Sequence, residues 1–172
     1  MAARLIFRCG PMILIALGGN LASHAGPPAQ TLKCALGRLE QLCVKILSVS
    51  SFYETPAWPD AVAPPFINAV AAVKTTLQPV ELLDLLHGVE TEFGRMRSAP
   101  NAPRTLDLDL LDHDAKVMTG VVTLPHPRLT ERSFVLAPLA EVAPGWRHPV
   151  FWQGAAEFLA ALPDRGAPKK LA

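Results

Sequence analysis

The sequence predicts an α+β protein with a ferredoxin-like core, in which strands and helices follow the order βαββαβ. Apolar runs typical of strands alternate in that order with two stretches whose leucines repeat at helical spacing. In this topology the sheet is antiparallel and both main helices cover one face, which leaves the other face free for ligands. An extra hairpin and C-terminal helices follow the core. Half of the 172 residues are hydrophobic, which suffices for one domain with its own core.

The first half of the chain is predicted to hold two strands around a helix. Met12–Leu17 is a continuous apolar run, typical of a central strand, and the Gly-Gly-Asn at 18–20 indicates a turn. A helix is expected near Gln30–Cys43, where leucines recur every three or four residues. Val44–Tyr53 is rich in strand-forming residues and is predicted to be the second strand. Glu54–Pro65 holds four prolines and is expected to be a long irregular connection.

The second half completes the predicted core. Phe66–Thr75 is expected to be the third strand, and Pro79 opens a second helix that Gly94 ends. Leu106–Leu111 is the predicted fourth core strand. The β-branched stretch Val117–Leu124 is expected to pair with it as the return strand of a hairpin.

Helices and loose termini are expected at the ends of the chain. A short helix begins at Glu131 and is expected to end near Pro138, and Phe151–Leu162 is predicted to be an amphipathic helix. The domain prediction is a single domain at 12–163, an N-terminal extension at 1–11 and a loose C-terminal tail at 164–172.

The fourth strand carries the most informative pattern. Its leucines at 106, 108 and 110 alternate with Asp107 and Asp109. Because successive side chains of a strand point to opposite faces, we expect the leucines in the core and both carboxylates on the other face, roughly 7 Å apart. Carboxylates suit Mg²⁺, which takes its remaining ligands from water and substrate phosphates. The pair therefore predicts a site for divalent cations.

Basic residues near this pair indicate a polyphosphate ligand. Arg104 lies directly upstream, and Arg95 and Arg97 stand one short loop away. Guanidinium groups beside metal-binding carboxylates are suited to the phosphates that share the metal. The alternative is a half-exposed strand with an acidic solvent face, and the aspartate pattern alone leaves that alternative open.

Other polar and aromatic residues are candidates for ligand contacts. Phe66 and Asn68 are expected on one face of their strand, where a ring and an amide can bind a flat heterocycle. Taken alone, Phe66 is more typical of an ordinary core aromatic, whereas an amide in an apolar strand needs partners. His126 lies between two prolines, and a lone histidine is more typical of a structural imidazole bonded to backbone. Glu90 and His87 share a helix face, a spacing typical of a solvent-exposed pair.

Composition narrows the function classes. The net charge is +1, which argues against general nucleic-acid or membrane-surface binding. No apolar run approaches the roughly 20 residues of a membrane span. The three cysteines are scattered without a metal-ligand pattern, which is typical of a reducing cytoplasm. We expect a cytoplasmic monomer whose partners are small molecules rather than nucleic acid or membrane.

Several blocks of the chain match one known family when they are taken together. The most specific are PRTLDLD at 103–109 and the downstream PHPRL at 125–129. The other blocks are ALGGNL at 16–21, SSFYETP at 50–56, FINAV at 66–70, GRMR at 94–97 and ERSF at 131–134. In this order and spacing, from Ile13 to about Trp146, the chain resembles the 6-hydroxymethyl-7,8-dihydropterin pyrophosphokinases of folate biosynthesis.

The resemblance implies Mg²⁺-dependent transfer of pyrophosphate from ATP to the pterin hydroxymethyl oxygen, with release of AMP. It implies two Mg²⁺ ions on Asp107 and Asp109, with Arg95 and Arg104 on the reacting phosphates. The family positions for ATP correspond to Glu90, Arg97, His126 and Arg132. Those for the pterin correspond to Thr55, Pro56, Trp58, Phe66, Asn68 and Phe134.

One loop departs from the family pattern. Many relatives carry Arg-Trp-Gly before the Pro-Arg of the aspartate block, whereas Asn101-Ala102 stand here in a loop one residue shorter. An arginine and an aromatic ring that close over ligands in those relatives are therefore missing.

Two rival functions come from other classes. One is a non-catalytic ferredoxin-like module that binds a small ligand, with the aspartates merely facing solvent. The other is an RNA-binding sheet on which Phe66 stacks a base. The acidic strand and the low net charge argue against RNA.

Overall fold

A computed structural model describes residues 12–57, 62–96, 102–163 and 167–171. Within these ranges six strands form one sheet, with helices on both of its faces. The strands are β1 (Ile13–Gly19), β2 (Lys45–Val49), β3 (Tyr53–Thr55), β4 (Phe66–Lys74), β5 (Asp107–His113) and β6 (Lys169–Lys170). The helices are α1 (Pro28–Gln41), α2 (Pro79–Glu92), α3 (Ser133–Val142) and α4 (Ala155–Ala161), with a 3₁₀ turn at Leu129–Glu131.

The sheet has the predicted topology. Its order is β5-β1-β4-β3-β6, β2 also pairs with β4, and every pair is antiparallel. β1 lies between β4 and β5 because α1 and α2 each carry the chain across the sheet before it returns. The predicted α+β, ferredoxin-like class is confirmed.

The single strand predicted for Val44–Tyr53 is divided into β2 and β3. The division lies at 50–52, where the side-chain hydroxyl of Ser50 accepts a hydrogen bond from the Val70 N–H at 3.0 Å. Serine hydroxyls compete in this way with the backbone partners of a regular strand. The composition predicted the extended backbone but not this interruption.

The main hydrophobic core lies between the sheet and the first two helices. β1 directs Ile13, Ile15 and Leu17 towards it, and α1 contributes Leu32 and Leu39. The period of two in the strand and of 3.6 in the helix bring apolar residues to facing surfaces. Each such leucine or isoleucine stabilises the fold by about 1.5–3 kcal/mol. This layer follows the predicted apolar positions.

The opposite face of the sheet is partly covered, which corrects the expectation that it is free for ligands. Leu14 of β1 and Leu111 of β5 point away from the main core and pack with Leu136 and Leu139 of α3. α4 adds to this second layer through Ala155. In the part of the chain that the structure describes, the end of this face near the close of β1 forms a cleft.

α3 and α4 differ in length from the prediction. Pro138 lies inside α3 and is buried, although it was expected to end the helix. Burial of neighbouring leucines against the sheet offsets the backbone bond that a proline removes. α4 begins only at Ala155 because Trp152 has a φ of +61° and the Phe151 N–H donates to the His148 ring.

The predicted hairpin between β5 and Val117–Leu124 is not formed. Met118 and Leu124 instead bridge each other, and Gly120 has a φ of +130° that turns the segment back on itself. Among the described residues, β5 pairs with β1 alone. β-branched residues favour an extended backbone, but they do not select the partner strand.

The C-terminal segment is also more ordered than predicted. Lys169 and Lys170 form β6, which pairs with β3, and the Leu171 N–H donates to the Phe52 carbonyl at 2.8 Å. This part of the expected loose tail belongs to the sheet. The predicted extension at 1–11 lies outside the described residues. Within the described ranges, the protein has no helix of the length and apolarity that a bilayer crossing requires.

Candidate active site

A cleft lies where β1, β4 and β5 meet the first turn of α3. It contains about 270 Å³ of space and opens to solvent. Strand residues form its floor, and Phe134 and Val135 form one wall. The residues that line it are Ala16, Leu17, Gly18, Asn68, Ala69, Asp107, Asp109, Phe134 and Val135. The cleft therefore joins the predicted metal pair to two of the predicted heterocycle contacts.

Asp107 and Asp109 lie side by side on the cleft face of β5. Their side chains are 26% and 30% exposed, whereas Leu108 between them is 1% exposed. The alternation in the sequence produces this arrangement because the leucines are drawn into the main core. The predicted orientation of both carboxylates is thus present.

Three arginines neutralise this pair. Arg95 and Arg104 bind one carboxylate oxygen each of Asp107, and Arg132 binds Asp109 at 3.0 Å. They come from the end of α2, from the approach to β5 and from the start of α3. Each guanidinium is about one-fifth exposed, so the ion pairs are partly shielded from water. The site can therefore redistribute several positive charges towards an anionic ligand.

Glu90 is buried behind the aspartates, which corrects the expectation of a solvent-exposed carboxylate. It is 2% exposed, and one of its oxygens accepts hydrogen bonds from Arg95 and from the Leu108 N–H. Burial raises the pKa of Glu90, and the bonds from Leu108 and Arg95 oppose that shift. In this geometry Glu90 holds the backbone between the two aspartates, and Arg95 bridges Glu90 and Asp107.

His126 reaches the same carboxylate pair from a third direction. Its Nε2 lies 3.9 Å from Asp109, and its Nδ1 accepts a hydrogen bond from the Arg128 N–H. Nε2 therefore carries the proton of the neutral ring and points towards Asp109. Burial lowers the pKa of His126, while Asp109 opposes that shift. The loop is held to β5 by a bond from the His126 N–H to the Leu111 carbonyl.

The predicted heterocycle contacts are only partly brought together. Asn68 is buried in the cleft floor and donates to the Thr55 hydroxyl at 2.9 Å. Phe134 is half-buried in the wall of the same cleft, and the Arg132 guanidinium lies 5.6 Å from the centre of its ring. Phe66 is half-buried on the same strand as Asn68 but is not among the described lining residues, and Pro56 is exposed. Trp58 and Arg97 lie outside the described residues.

Two residues of the Gly-Gly-Asn turn have roles that the sequence analysis missed. A Cβ on Gly19 would stand 2.5 Å from the Thr105 carbonyl oxygen, so only glycine permits this close approach. Asn20 is 3% exposed, donates to the Pro64 carbonyl and accepts from the Arg104 N–H. It joins the connections before β4 and before β5. An amide directly after a buried strand was the available signal for this role.

The oxygen donors of the pair fit Mg²⁺ but do not enclose it. The described residues contain no group of three or more His, Cys, Asp or Glu arranged around a common metal position. Mg²⁺ commonly binds through one or two carboxylates together with water and substrate phosphates. Asp107 and Asp109 match that donor set, and the arginines around them match the phosphates.

Comparison with known proteins agrees with this geometry. Residues 14–144 match the family described as 7,8-dihydro-6-hydroxymethylpterin-pyrophosphokinase (HPPK). The chain is 38% identical over 156 residues to the 2-amino-4-hydroxy-6-hydroxymethyldihydropteridine pyrophosphokinase of Pseudomonas aeruginosa, covering 90% of this chain and 93% of the relative. It is 42% identical over 130 residues to the enzyme of that name from Bacillus subtilis, covering 74% and 75%.

A solved structure supports the fold independently. The fold matches a Plasmodium falciparum HPPK-DHPS with a TM-score of 0.70 at 14% sequence identity. That match covers 88% of this chain and 44% of the larger chain. With the family match over most of its length, the chain belongs to the 7,8-dihydro-6-hydroxymethylpterin-pyrophosphokinase family of enzymes.

Proposed function

We propose that this protein transfers pyrophosphate from ATP to the hydroxymethyl group of 6-hydroxymethyl-7,8-dihydropterin, in a Mg²⁺-dependent step of folate biosynthesis. The observation that carries the proposal is the Asp107 and Asp109 pair, ringed by three arginines at the mouth of a cleft that also holds Asn68 and Phe134. A polyphosphate site and a site for a flat polar ring thus adjoin each other. The relatives' names describe the same pairing of pyrophosphate and pterin.

The metal would bind at the aspartate pair. Asp107 and Asp109 would each supply carboxylate oxygens to two Mg²⁺ ions, with the ATP phosphates and water as the other ligands. Bound there, the ions would offset charge on the triphosphate and favour the ionised form of the substrate hydroxyl.

The arginines would act on the phosphates. Arg95 and Arg104 contact Asp107, and Arg132 contacts Asp109. When cations take the aspartates, Arg104 and Arg132 lose these partners and Arg95 keeps Glu90 alone, so the guanidinium groups become available to phosphate oxygens. Arg95 and Arg104 would then stabilise charge as it moves towards the leaving group.

The reaction balances as a substitution at the β-phosphorus. A bond forms between the hydroxymethyl oxygen and that phosphorus, and the bond to the oxygen bridging the α-phosphorus breaks. AMP leaves with that oxygen and its electron pair, and the hydroxyl proton passes to solvent. Arg97 and His126 are proposed to hold ATP during this step.

The pterin would lie against Phe134 with its polar edge at Asn68. The amide nitrogen of Asn68 donates to the Thr55 hydroxyl, and its amide oxygen would accept from a ring N–H of the pterin. Phe134 offers a face for stacking, and Phe66, Pro56 and Trp58 are proposed to complete the pocket from the β3–β4 connection when substrate is bound. A cytoplasmic monomer consisting of one domain over 12–163 remains our proposal for the working form.

The decisive experiment is an assay of the purified chain with ATP, the reduced hydroxymethylpterin and Mg²⁺. We expect AMP and the pterin diphosphate in equal amounts, with no product when a chelator removes the metal. Release of ADP, or binding of both ligands without AMP, would reject the proposal. The second outcome would favour a non-catalytic binding module.

A further inference from the structure

Outside the cleft, the carboxylate of Glu141 joins three separate parts of the fold. Glu141 lies near the C-terminal end of α3 and accepts a hydrogen bond from the Tyr53 hydroxyl of β3 at 2.6 Å. Its other oxygen accepts from the backbone N–H and the hydroxyl of Ser51, at 3.0 and 2.9 Å. Lys170 of β6 lies 3.3 Å from that oxygen. We name these four residues the Glu141 clamp.

The clamp acts on the strand that orients Asn68. In the pairing of β3 with β4, Tyr53 stands opposite Asn68, and Thr55 stands opposite Phe66. The Thr55 hydroxyl accepts the hydrogen bond of the Asn68 amide. The position of β3 therefore determines which way the Asn68 oxygen faces.

The other end of α3 carries Phe134. Glu141 and Phe134 are seven residues apart, which is about two helical turns or roughly 10 Å along the axis. α3 thus bears the ring that walls the cleft near its start and the carboxylate that holds β3 near its end. A rigid helix transmits the position of one end to the other.

We propose that Glu141 is a positioning residue for the pterin pocket, because it ties β3 to α3 and so sets the separation of Asn68 and Phe134. This inference rests on the proposed function and extends it to residues that do not touch the substrate. Most of the nucleotide side of the cleft is built on β5, which lies beyond β1 in the sheet, and Arg132 at the start of α3 is held there by its ion pair with Asp109. Loss of the clamp should therefore affect the pterin far more than ATP.

The ionisation states of Glu141 and Tyr53 favour the hydrogen bond between them at neutral pH. Burial opposes ionisation of Glu141, but hydrogen bonds from Tyr53 and Ser51 outweigh it and lower its pKa to about 2. Burial and the bond to Glu141 raise the pKa of Tyr53 to about 12. At neutral pH an ionised carboxylate accepts from a neutral hydroxyl, which is the stronger kind of hydrogen bond.

The test compares ligand affinities in Glu141→Ala, Glu141→Gln and Tyr53→Phe. Calorimetry should measure the hydroxymethylpterin in the presence of Mg²⁺ and a non-hydrolysable ATP analogue, and then the Mg²⁺ analogue complex alone. We expect Glu141→Ala to raise the Kd for the pterin about tenfold. Binding of the analogue should change less than about twofold. Glu141→Gln should lose less pterin affinity than Glu141→Ala, because its amide oxygen still accepts from Tyr53.

Glu157→Gln is the matched control. Glu157 of α4 also holds a backbone N–H, that of Gly154 at 2.7 Å, and a cation, Arg147 at 3.3 Å, but neither it nor these partners line the cleft. We expect wild-type affinity for both ligands in this variant. Tyr53→Phe and Glu141→Gln keep the side-chain volume, so they carry the test if the alanine variant fails to fold.

The outcomes separate the inference from the proposed function. Unchanged pterin affinity in folded clamp variants, or equal loss of affinity for both ligands, would overturn the positioning role of Glu141. The proposed function would stand in either case. A wild-type protein that binds the analogue but not the pterin would overturn the proposed function and the inference together.

Discussion

Individual charges at the aspartate pair are balanced before any ligand arrives. Glu90, Asp107 and Asp109 supply three negative charges, and Arg95, Arg104 and Arg132 supply three positive ones. Removing one member of a shielded set leaves its partner without compensation, which costs more than a surface ion pair contributes. A cation that binds the aspartates must displace arginines, and a phosphate that binds the arginines must displace aspartates. We infer that metal and triphosphate bind together.

Asp109→Ala should nearly abolish turnover while the protein stays folded. The substitution removes a carboxylate from the cleft face and leaves the buried leucine face of β5 unchanged. Product formation measured as AMP should fall by about a thousandfold or more if the residue holds a metal. Asp84→Ala is the control, because Asp84 is an exposed carboxylate of α2 far from the cleft lining. Near-normal turnover in the Asp109 variant would remove this residue from the metal site.

Phe134→Ala should weaken pterin binding by about 1–3 kcal/mol, from lost stacking and lost apolar contact. The affinity for an ATP analogue should change much less, because Phe134 lies on the wall beside Asn68. Calorimetry with each ligand measures both effects. Phe151→Ala removes a ring that is 59% exposed and serves as the control. Equal losses for the two ligands would mean that Phe134 supports the fold instead of the pocket.

One side chain of α2 binds the backbone of β5, the strand that carries Asp107 and Asp109. Glu90 projects from α2 and accepts the N–H of Leu108 in β5 at 2.7 Å. This N–H points away from the neighbouring strand β1, and among the described contacts the carboxylate is its acceptor. The helix therefore fixes the backbone on which both aspartates stand.

Glu90→Ala should reduce the free energy of unfolding by about 1–3 kcal/mol, the cost of a buried N–H without an acceptor. Glu90→Gln should lose less, because its amide oxygen can accept from Leu108 and it avoids burying a charge. Urea unfolding monitored by circular dichroism measures both variants. Glu92→Gln, which weakens only the exposed pair with Arg38, should leave the stability nearly unchanged. Similar stability of the alanine and glutamine variants would contradict the acceptor role.

The Glu141 clamp predicts that the stability of the protein depends on pH. Glu141 has a folded pKa of about 2 against an ordinary 4.5, so its contribution is complete above pH 4.5 and is lost towards pH 2. Tyr53 has a folded pKa of about 12 against 10.0, so its contribution is complete below pH 10 and is lost towards pH 12.

Comparison of wild type with Tyr53→Phe isolates this contribution. The stability difference between them should be constant from about pH 5 to pH 10 and should shrink outside that window. Urea unfolding at a series of pH values measures it. A difference that stays constant down to pH 2.5 would show that the Tyr53–Glu141 bond is not linked to protonation.

The whole molecule places its site at the end of a sheet that is covered on both faces. α1 and α2 bury one face, and α3 and α4 bury most of the other. Among the described residues, the cleft lies at the end of the sheet near Gly18, where a Cβ added to Gly18 would stand 3.1 Å from the Asn68 side-chain oxygen. The two hydrophobic layers thus hold the strands that form the floor of the cleft. The charged aspartates and arginines stand at its mouth.

Ligand binding should stabilise the whole fold only when metal and nucleotide are present together. Mg²⁺ alone must compete with three arginines, so its effect on Tm should be small. Mg²⁺ with an ATP analogue at about one hundred times its Kd should add about 2.7 kcal/mol. For a chain of this size that is roughly 5–10 °C in Tm. A scanning-calorimetry shift of that size with Mg²⁺ alone would contradict the charge-balance argument.

The sequence by itself determined the core of this protein and the faces of the sheet to which the side chains of β5 point. The alternation of leucine and aspartate at 106–110 predicted which side chains are buried and which face the cleft. The helical spacing in α1 and α2 and the order of strands predicted the topology. These features depend on local periodicity and on the burial of apolar surface, both of which can be obtained from one stretch of chain.

Only the tertiary structure decided which distant groups meet. Val117–Leu124 has strand composition but bridges to itself, and Lys169–Lys170 have little strand character but pair with β3. Glu90 was expected at the surface and is buried, because β5 packs against α2 and offers it the Leu108 N–H. Glu141 gave no signal at all, since Tyr53 and Ser51 lie about ninety residues before it and Lys170 about thirty residues after it. Long-range hydrogen bonds depend on the packed geometry, which local residue preferences do not specify.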